Sequence, residues 1–484
     1  SAMSEAHASR HGVPTDGYQH LIDGTQVASA SRFAVINPAT GQPFAECPSA
    51  SEEELERAVL AARRSLPEWQ AVGPDRRRMA LHALAASIEA DIETLAAILT
   101  SEQGKPLVSA RDEIQRAAVQ MRRLSEIPLA SEPGVDSAGR PFEVQYRPLG
   151  VVGAITPWNM PVLLAASKIS HALYTGNTVV LKPSPYTPLA TLRLGALARG
   201  ILPPGVLNIL AGTDDLGRWM TAHPGIAKLS FTGSVRSGKS VMATAAATLK
   251  RVTLELGGND AAVVLQDADP ASIAQRLLAG AFTNGGQICM AIKRLYIEAP
   301  IYDAVCTELA ERVARIVVGD GFDPAVAMGP VQNAMQYDTV RSVLAEASHS
   351  ASARILGGSQ SLPATGYFVA PRVIAGPDER SRLVQEETFG PLLPVMRFDD
   401  VDEVIARANN SRYGLSGSVW SADRERAAAL ASRLEVGTAW VNHHLGSDPL
   451  VPFGGSKESG IGREMALTGL RHYMEPRVLS VRQL

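Results

Sequence analysis

From Gly150 onward, short runs of β-branched residues alternate with helical stretches rich in Ala and Leu. The runs read VVGAI, NTVVL, VLNIL, AKLSF and VTLEL. Such alternation is typical of βαβ units, because each helix carries the chain back to the start of the next parallel strand. A second alternation begins after Gly257 and Gly258 with AAVVL, continues through RLYIEA and reaches GTAWVN. The sequence therefore predicts an α/β fold that contains a parallel sheet and a second α/β domain.

The first third of the chain is predicted to be helical. Ser51 and Glu54 fit a capping box, and apolar residues follow it at helical spacing, at Leu55, Val59, Ala62 and Leu66. A second, longer amphipathic helix is predicted over about 75–103, because Gly104 and Pro106 follow it.

Two further segments are predicted to form a pair of strands outside both domains, namely VDSAGRPFEVQYRP and the RVLSV segment near the C-terminus. A two-stranded sheet is marginally stable in water, so we expect this arm to pair with another subunit. A surface hairpin without a partner is the alternative. The arm predicts a homodimer or a homotetramer.

Charge and cysteine content exclude several classes of protein. A length of 484 residues exceeds what one hydrophobic core usually supports, so two or three domains are expected. The net charge of -3 provides no basic surface for nucleic acid. No apolar run is long enough to span a bilayer, and the polar N-terminal segment lacks the apolar stretch of a signal peptide. The cysteines are too few for a disulfide framework or a zinc cluster, so we expect a cytoplasmic enzyme without a metal site.

One of the three cysteines is a candidate nucleophile. Cys289 follows the glycine-rich turn of FTNGGQICMA, where backbone N–H groups can approach a reacting oxygen. A buried, inert cysteine is the commoner outcome for a single thiol.

Two other segments place polar side chains where a cleft is expected. Asn159 lies between prolines in PWNMP, directly after the predicted strand VVGAIT, and its amide could donate to an oxyanion. A turn-forming asparagine is the alternative. Glu255 ends the strand of LELGGND, and an acidic residue in an apolar strand needs a partner or a purpose.

Together these motifs resemble the aldehyde dehydrogenase superfamily, and the resemblance covers nearly the whole chain. The landmarks follow that family's order: PWNMP, KPSPYTP, FTGS with Gly238, LELGGND, GGQIC, EETFGP and PFGGSKESGIGRE. The resemblance implies NAD(P)-dependent oxidation of an aldehyde to a carboxylic acid. It also implies a Rossmann-like parallel-sheet cofactor domain, a second α/β catalytic domain and a small β-strand oligomerisation arm. The implied boundaries are 1–127 and 147–256 for the NAD(P)-binding domain, 257–460 for the catalytic domain with 461–468 returning to the cofactor domain, and 128–146 with 469–484 for the arm.

The stretch LSFTGSVRSGKS, residues 229–240, also fits the phosphate-loop pattern through Gly233, Gly238, Lys239 and Ser240. A nucleoside triphosphatase would also need an acidic residue that holds Mg²⁺ after a nearby strand, and Asp267 is only loosely placed for that role. The resemblance implies instead that the turn at Gly233 and Ser234 lies beside the pyrophosphate of a dinucleotide. A helix N-terminus accepts phosphate in either case.

The resemblance also implies the catalytic roles. Cys289 is expected to be a thiolate that attacks the aldehyde, because nearby N–H groups and a cationic nicotinamide favour the ionised form. The Asn159 amide and the Cys289 backbone N–H would stabilise the oxyanion. Glu255 would activate the water that hydrolyses the thioester, because partial burial can raise a carboxyl pKa towards neutral pH.

Cofactor contacts carry over in the same way. Lys182 is implied to reach the adenosine ribose, Ser234 the phosphates and Glu387 the nicotinamide ribose. The remaining implied contacts are Phe389 against the nicotinamide, Trp158 in the cleft wall, Gly233 and Thr156. Many members of the family carry a glutamate three residues after the lysine, where this chain has Pro185. Because that carboxylate repels a 2′-phosphate, we expect NAD to be used and NADP to be tolerated.

The predicted substrate pocket is apolar. Its predicted residues are Met160, Leu163, Leu164 and Ser167 on the helix after PWNMP, Ile288 and Met290 beside the thiol, and His443 in the loop before PFGG. These favour an apolar aliphatic or aromatic aldehyde, and the small Ser167 side chain indicates width. A metal site at His443 and His444 is the alternative, but adjacent residues on a strand point apart.

Two other functions remain open at this point. In a CoA-acylating semialdehyde dehydrogenase, a thiol rather than water takes the acyl group, but such enzymes usually lack the glutamate of LELGG. A non-catalytic relative of the fold would have no need to keep Cys289, Asn159 and Glu255 together.

Overall fold

The computed structural model describes all 484 residues. The N-terminal part contains helix α1 and four short strands, followed by four helices. Their bounds are α1 Ala2–Arg10, β1 His20–Ile22, β2 Thr25–Val27, β3 Ser31–Asn37, β4 Gln42–Ser49, α2 Glu52–Ala71, α3 Gly73–Ala90, α4 Ile92–Gln103 and α5 Leu107–Ser125.

Strands and helices then alternate to the end of the first large sheet. The bounds are β5 Glu132–Val135, β6 Pro141–Pro148, β7 Val151–Ile155, α6 Pro161–Tyr174, β8 Thr178–Lys182, α7 Leu189–Ala198, β9 Leu207–Ile209, α8 Asp214–Ala222, β10 Lys228–Thr232, α9 Val235–Ala245 and β11 Arg251–Glu255.

The remainder of the chain repeats the alternation and ends in a strand. The bounds are β12 Asp260–Val264, α10 Pro270–Phe282, β13 Ile292–Glu298, α11 Tyr302–Val313, α12 Ala334–Ser348, β14 Arg354–Leu356, β15 Arg372–Ala375, α13 Arg382–Gln385, β16 Leu392–Phe398, α14 Val401–Asn409, β17 Tyr413–Gly414, β18 Ser416–Trp420, α15 Arg424–Ala431, β19 Thr438–Val441, β20 Ser456–Lys457, β21 Gly460–Ile461, α16 Ala466–Arg471 and β22 Met474–Ser480.

Two large sheets confirm the predicted α/β class. The first has eight strands in the order β2-β1-β9-β8-β7-β10-β11-β21, and β9 to β11 within it are parallel. The second has seven strands in the order β14-β15-β16-β13-β12-β18-β19, parallel except for β14. Both sheets are buried, as parallel sheets covered by crossover helices must be. Their carboxyl ends are where side chains of a site are expected to meet.

The helical prediction for the first third of the chain is confirmed at the capping box and wrong at two places, because the segment from His20 to Ser49 forms β1 to β4 and the second predicted helix is broken. At the start of α2, Ser51 Oγ accepts the Glu54 N–H at 3.1 Å, and Glu54 Oε1 accepts the Ser51 N–H at 3.0 Å. The single helix predicted over 75–103 is two helices, because the backbone leaves helical geometry at Asp91. The Asp91 carboxylate accepts two hydrogen bonds from the Arg193 guanidinium, at 2.5 and 2.7 Å. This pairing joins residues far apart in sequence, so periodicity could not reveal it.

A separate three-stranded antiparallel sheet lies outside the two large ones. Its order is β22-β6-β5, with β6 in the centre. The sequence predicted a pair of strands here, and the structure has three. The additional strand is β5, which pairs back on β6 across the turn at 136–140. Several apolar side chains of this sheet and the tail after it are exposed, namely Val135, Val478, Leu479 and Val481.

None of the helices combines the length and apolar character needed to cross a lipid bilayer.

Candidate active site

A single large cavity of about 1540 Å³ opens between the two large sheets. Its walls come from the loops after β7, β10 and β11 on one side and from the segments around 288–290, 386–389 and 445–453 on the other. Small-molecule sites usually occupy about 300 to 1000 Å³, so this cavity has room for more than one reactant. Cys289, Glu255 and Asn159 all lie in its wall.

The backbone before Cys289 is a tight turn that only glycines fit well. Asn284, Gly285 and Gly286 have φ values of 56°, 66° and 75°. A Cβ atom at Gly286 would collide with the Gly390 carbonyl oxygen. The left-handed conformation and this close approach explain the paired glycines. The turn delivers Cys289 to the cavity wall at the end of α10, where its side chain keeps partial exposure.

The surroundings of Cys289 favour the thiol over the thiolate. Burial raises its pKa to about 12, and the negative charges of Glu255, Glu387 and Asp260 add to the effect. Only Lys293 opposes them, by lowering the pKa. The expectation of a thiolate assumed a cationic nicotinamide beside the sulfur, and the protein's own groups do not supply that charge. A further positive charge beside the sulfur is needed to ionise it.

Glu255 is buried at the end of β11, where its carboxyl group forms only one long hydrogen bond. Its Oε2 accepts the Thr232 hydroxyl at 3.4 Å, across the β10–β11 pair, and its Oε1 has no hydrogen-bond partner. Burial, reinforced by the charge of Glu464, raises the pKa of Glu255 to about 8. A carboxyl group with this pKa can accept a proton near neutral pH and release it again.

Asn159 is held beside the cysteine turn. Its side-chain amide nitrogen donates to the Gln287 carbonyl oxygen at 3.0 Å, two residues before Cys289. Its backbone carbonyl accepts from the Asn284 amide at 3.0 Å. The two loops that carry the candidate oxyanion donor and nucleophile are thus joined directly.

A buried ion pair that sequence reasoning missed fixes the Asn159 loop. The Lys105 ammonium pairs with the Glu113 carboxylate and also donates to the Asn159 carbonyl oxygen at 3.2 Å. The other Glu113 oxygen accepts the N–H groups of Val162 and Leu163, at 2.9 and 3.1 Å, in the first turn of α6. Lys105 and Glu113 lie only eight residues apart, but the groups that they hold, at Asn159 and in the first turn of α6, lie more than 45 residues further along the chain, so the local sequence pattern does not reveal this role.

Lys293 is a second residue that the sequence did not single out. Its ammonium donates to the Glu387 carboxylate at 2.7 Å and to the carbonyl oxygens of Cys289 and Gly258. Glu387 also accepts the Gly258 N–H at 2.9 Å. Lys293 thereby links the backbone of Cys289, the candidate nucleophile, to the predicted cofactor contact Glu387. Beside them, the rings of Phe389 and Trp158 pack edge to face with centroids 5.4 Å apart.

The far end of the cavity contains polar groups without adequate partners. Lys182 is buried, and its ammonium has only a 3.4 Å contact with the adjacent Pro183 carbonyl oxygen. Burial lowers the pKa of Lys182 to about 8, and Asp214 partly offsets this. The Thr156 hydroxyl is buried without any hydrogen-bond partner. An unsatisfied ammonium and hydroxyl in a cavity wall fit a polyhydroxylated ligand such as a dinucleotide.

The phosphate-loop segment has packing and surface roles in the structure. Gly233 and Ser234 line the cavity, and Ser234 caps α9 by accepting the Ser237 N–H at 3.1 Å. A Cβ atom at Gly238 would collide with Leu256, so this glycine allows α9 to pack on the sheet. Lys239 forms an exposed ion pair with Glu458 at 2.8 Å. The Lys and second Gly of the pattern thus have local structural explanations.

The predicted substrate residues lie in one part of the cavity, with one exception. Those in the wall are Met160, Leu163, Leu164, Ser167, Ile288 and Met290. His443 is not in the wall: it is exposed and packs against Trp440, while Leu445, Ser447 and Asp448 of the same loop face the cavity. His444 points away from His443, with its Nδ1 at 2.7 Å from the Ser418 hydroxyl. The structure contains no group of three or more potential metal-binding His, Cys, Asp or Glu side chains.

Comparison with known proteins gives one consistent result. Residues 25–479 match the sequence model of the aldehyde dehydrogenase family. A probable aldehyde dehydrogenase of a Pseudomonas species is 42% identical over 465 residues, which cover 96% of this chain and 94% of the relative. Phenylacetaldehyde dehydrogenase of Pseudomonas fluorescens is 38% identical, with 96% of each chain covered. A crystal structure of betaine aldehyde dehydrogenase from Staphylococcus aureus in complex with NAD⁺ superposes with a TM-score of 0.92 at 32% identity, covering 98% of this chain and 97% of that one.

Proposed function

The chain belongs to the aldehyde dehydrogenase family and is an oxidoreductase that acts on aldehydes, and from this premise we propose that it uses NAD to oxidise an apolar aldehyde to the carboxylic acid at Cys289. The single observation that carries the proposal is the shared cavity. It holds a thiol, a carboxyl group with a raised pKa and a side-chain amide, and it extends to the unsatisfied Lys182 and Thr156.

The first step is attack of the Cys289 sulfur on the aldehyde carbon. A bound NAD supplies the hydride acceptor and, through its cationic ring, the positive charge that the thiol needs to ionise. The thiol proton leaves to solvent, and the new carbon–sulfur bond converts the carbonyl oxygen to an oxyanion. The Cys289 N–H and the amide of Asn159 are the donors for that oxygen. Lys105 and Glu113 keep the Asn159 loop in position.

When the oxyanion collapses, the hydride leaves the substrate carbon and a thioester remains on Cys289. Glu255 then accepts a proton from water as the water oxygen attacks the thioester carbon. The carbon–sulfur bond breaks, the acid leaves, and Cys289 is regenerated. Glu255 suits this step because its pKa of about 8 lies close to neutral pH.

For the cofactor, we propose Lys182 and Ser234 at the adenosine and phosphate end and Glu387, Phe389, Trp158, Gly233 and Thr156 as the remaining contacts. Pro185 lines the cavity where many relatives have glutamate. NADP is therefore expected to be accepted. Asp214 lies in the same part of the wall and is the acidic neighbour that acts on Lys182, so NAD should remain the better cofactor.

The assembly and location follow the same reasoning. We propose that the three-stranded sheet β22-β6-β5 joins subunits into a homodimer or homotetramer, because its apolar side chains are exposed in one chain. A cytoplasmic location is proposed because the reaction needs a reduced thiol and all three cysteines are free.

The test is NADH formation from a panel of short, long and aromatic aldehydes, with and without CoA. Turnover without CoA that is lost in Cys289→Ala, with cofactor binding retained, is the expected result. A strict requirement for CoA would favour the acylating reaction instead. Absence of turnover with every aldehyde would overturn the proposal in favour of a non-catalytic role.

A further inference from the structure

Two polar side chains interrupt the apolar part of the cavity wall. Gln120 lies on α5, on the same helix face as Arg116 and Val119, and Ser167 lies on α6, on the same face as Leu163. The helices α5 and α6 pack against each other, so the two side chains belong to one section of the wall. The steps proposed above for Cys289, Glu255 and Asn159 use neither side chain.

Gln120 has an acceptor that the protein leaves unsatisfied. The residue is only 5% exposed, and its amide nitrogen donates to the Met465 sulfur at 2.9 Å. A thioether sulfur only accepts hydrogen bonds, so the NH₂ group faces the sulfur and the carbonyl group faces away from it. That carbonyl oxygen, Oε1, has no hydrogen-bond partner. The last torsion of a glutamine side chain takes a broad range of angles, so a small rotation of the amide group can present Oε1 to a ligand.

Ser167 has a donor that the protein leaves free. Its hydroxyl lies 3.5 Å from His171 Nδ1, a marginal distance. His171 Nε2 accepts the Met465 N–H at 2.8 Å, which places the ring proton on Nδ1. That proton is donated to the Ser167 carbonyl oxygen at 2.7 Å. The Ser167 hydroxyl proton therefore has no acceptor within the protein, although the residue is only 3% exposed.

We propose that Gln120 and Ser167 form a hydroxyl-binding subsite, and that the preferred aldehyde carries a hydroxyl group on an otherwise apolar body. A hydroxyl group both donates and accepts, which matches the Gln120 carbonyl oxygen and the Ser167 O–H. An ether or a second carbonyl group on the substrate would satisfy Ser167 alone. The inference rests on the proposed function, because it takes this cavity as the place where the aldehyde meets Cys289.

Charged substrates fit the same section less well. Arg116 is its only cationic side chain, and its guanidinium is exposed at the rim and donates to the Ser447 hydroxyl at 3.1 Å. A buried charge needs a charged or multiply hydrogen-bonding partner, and neither Gln120 nor Ser167 supplies one. The remaining neighbours are apolar, including Met160, Leu163 and Leu164.

The experiment measures kcat/KM for benzaldehyde, the three hydroxybenzaldehydes and the three methoxybenzaldehydes at saturating NAD. The methoxy compounds keep similar ring electronics and an oxygen acceptor at the same position. They differ from the hydroxyl compounds in that they cannot donate a hydrogen bond. For the best position, we expect the hydroxyl compound to exceed its methoxy analogue about tenfold. This ratio should fall about tenfold in Gln120→Leu, which removes the acceptor of the substrate O–H. Ser167→Ala should instead lower kcat/KM for the hydroxyl and the methoxy compound alike, relative to benzaldehyde, because both oxygens can accept from Ser167. The matched control is Gln115→Leu, on the exposed face of α5 outside the cavity wall, and it should keep the wild-type ratio.

Equal kcat/KM for hydroxyl and methoxy compounds at every position would overturn the subsite, and would mean that water rather than substrate occupies it. A hydroxyl-to-methoxy ratio unchanged in Gln120→Leu, or a kcat/KM of both oxygenated compounds relative to benzaldehyde unchanged in Ser167→Ala, would also overturn it. The Ser167→Ala change removes a single oxygen atom, so it remains informative if Gln120→Leu folds poorly. Absence of turnover with every aldehyde would overturn the proposed function and the inference with it.

Discussion

Among individual residues, Cys289 and Glu255 are affected by burial in the same way, since the pKa of each is raised, but the consequences for the two groups differ. Burial raises both pKa values, to about 12 for the thiol and about 8 for the carboxyl. The thiol therefore needs a nearby positive charge in order to ionise, whereas the carboxyl group titrates near physiological pH.

Glu255→Gln should separate the two halves of the proposed reaction. The amide keeps the size of the side chain but cannot accept a proton from water. We expect one burst of NADH per active site followed by turnover slowed by about 10²- to 10⁴-fold. Stopped-flow absorbance measures the burst and the steady state in one record. Wild-type turnover in this variant would show that the base has been assigned wrongly.

The pH dependence of hydrolysis should follow Glu255. Only its carboxylate accepts a proton, and its pKa is raised to about 8, so the hydrolytic rate should increase as the pH rises through about 8 and level off above it. Steady-state kcat between pH 6 and 10 measures this, with the NADH burst of Glu255→Gln as the control. A rate that falls over this range would contradict the assignment.

Cofactor choice should respond to charge at position 185. In Pro185→Glu the new carboxylate would repel a 2′-phosphate, and we expect kcat/KM with NADP to fall about tenfold or more relative to NAD. Pro185→Ala is the control, because it removes the proline ring without adding charge. Strong wild-type discrimination against NADP would contradict the proposed tolerance and would direct attention to Asp214.

At the element scale, helix termini hold the site in place. The N-terminus of α6 is capped by Glu113 from α5, so the loop with Asn159 enters its helix at a fixed angle. After the end of α10, the paired glycines at 285–286 form the tight turn that fixes the position of Cys289. Rigid elements with tight turns between them keep polar groups within the tolerance that catalysis requires.

The capping box of α2 offers a test of element stability away from the cavity. Ser51→Ala removes the acceptor of the Glu54 N–H and should lower the free energy of unfolding by about 1 kcal/mol. The midpoint of urea unfolding and hydrogen exchange of the Glu54 amide measure the loss. Ser240→Ala serves as the control, since that exposed serine does not cap a helix. Equal effects of the two substitutions would mean that the cap contributes nothing.

At the scale of the whole molecule, the three-stranded sheet is the part least explained by a single chain. Val478 and Leu479 are 62% and 44% exposed on consecutive positions of β22, so both faces of that strand lack cover. The sheet packs no helix of its own over these side chains. A second copy of the chain would bury them.

Val478→Asp with Leu479→Asp should therefore weaken assembly. The two added charges would be buried in the proposed interface, so we expect a lower mass in solution at micromolar concentration. Light scattering after size-exclusion chromatography measures it. Val317→Asp provides the control, because that valine is 48% exposed and lies outside the sheet. A monomeric wild-type protein would contradict the proposed assembly.

Sequence reasoning reached most of the two parallel sheets, the capping box and the residues that meet in the cavity. It missed the strands β1 to β4, the break at Asp91, the third strand of the small sheet, the exposed position of His443 and the positioning pair Lys105 and Glu113. Two of the missed features depend on contacts between residues distant in the chain: Asp91 pairs with Arg193, and Lys105 and Glu113 hold the Asn159 loop. By contrast, β1 with β2, β3 with β4 and β5 with β6 pair across short turns, and these short strands were missed although their pairing is local.

The amino-acid sequence indicated most of the strands and helices of the two α/β domains, because periodicity, caps and turns are interactions among residues a few positions apart. It also supplied the identities of the thiol, amide and carboxyl. Folding adds what the sequence does not show: burial raises the pKa of Cys289 and of Glu255, and Gln120 and Ser167 come to lie in the cavity wall with polar groups that the protein leaves unsatisfied. These properties come from burial and from partners supplied by other elements, and such surroundings exist only once the chain has folded.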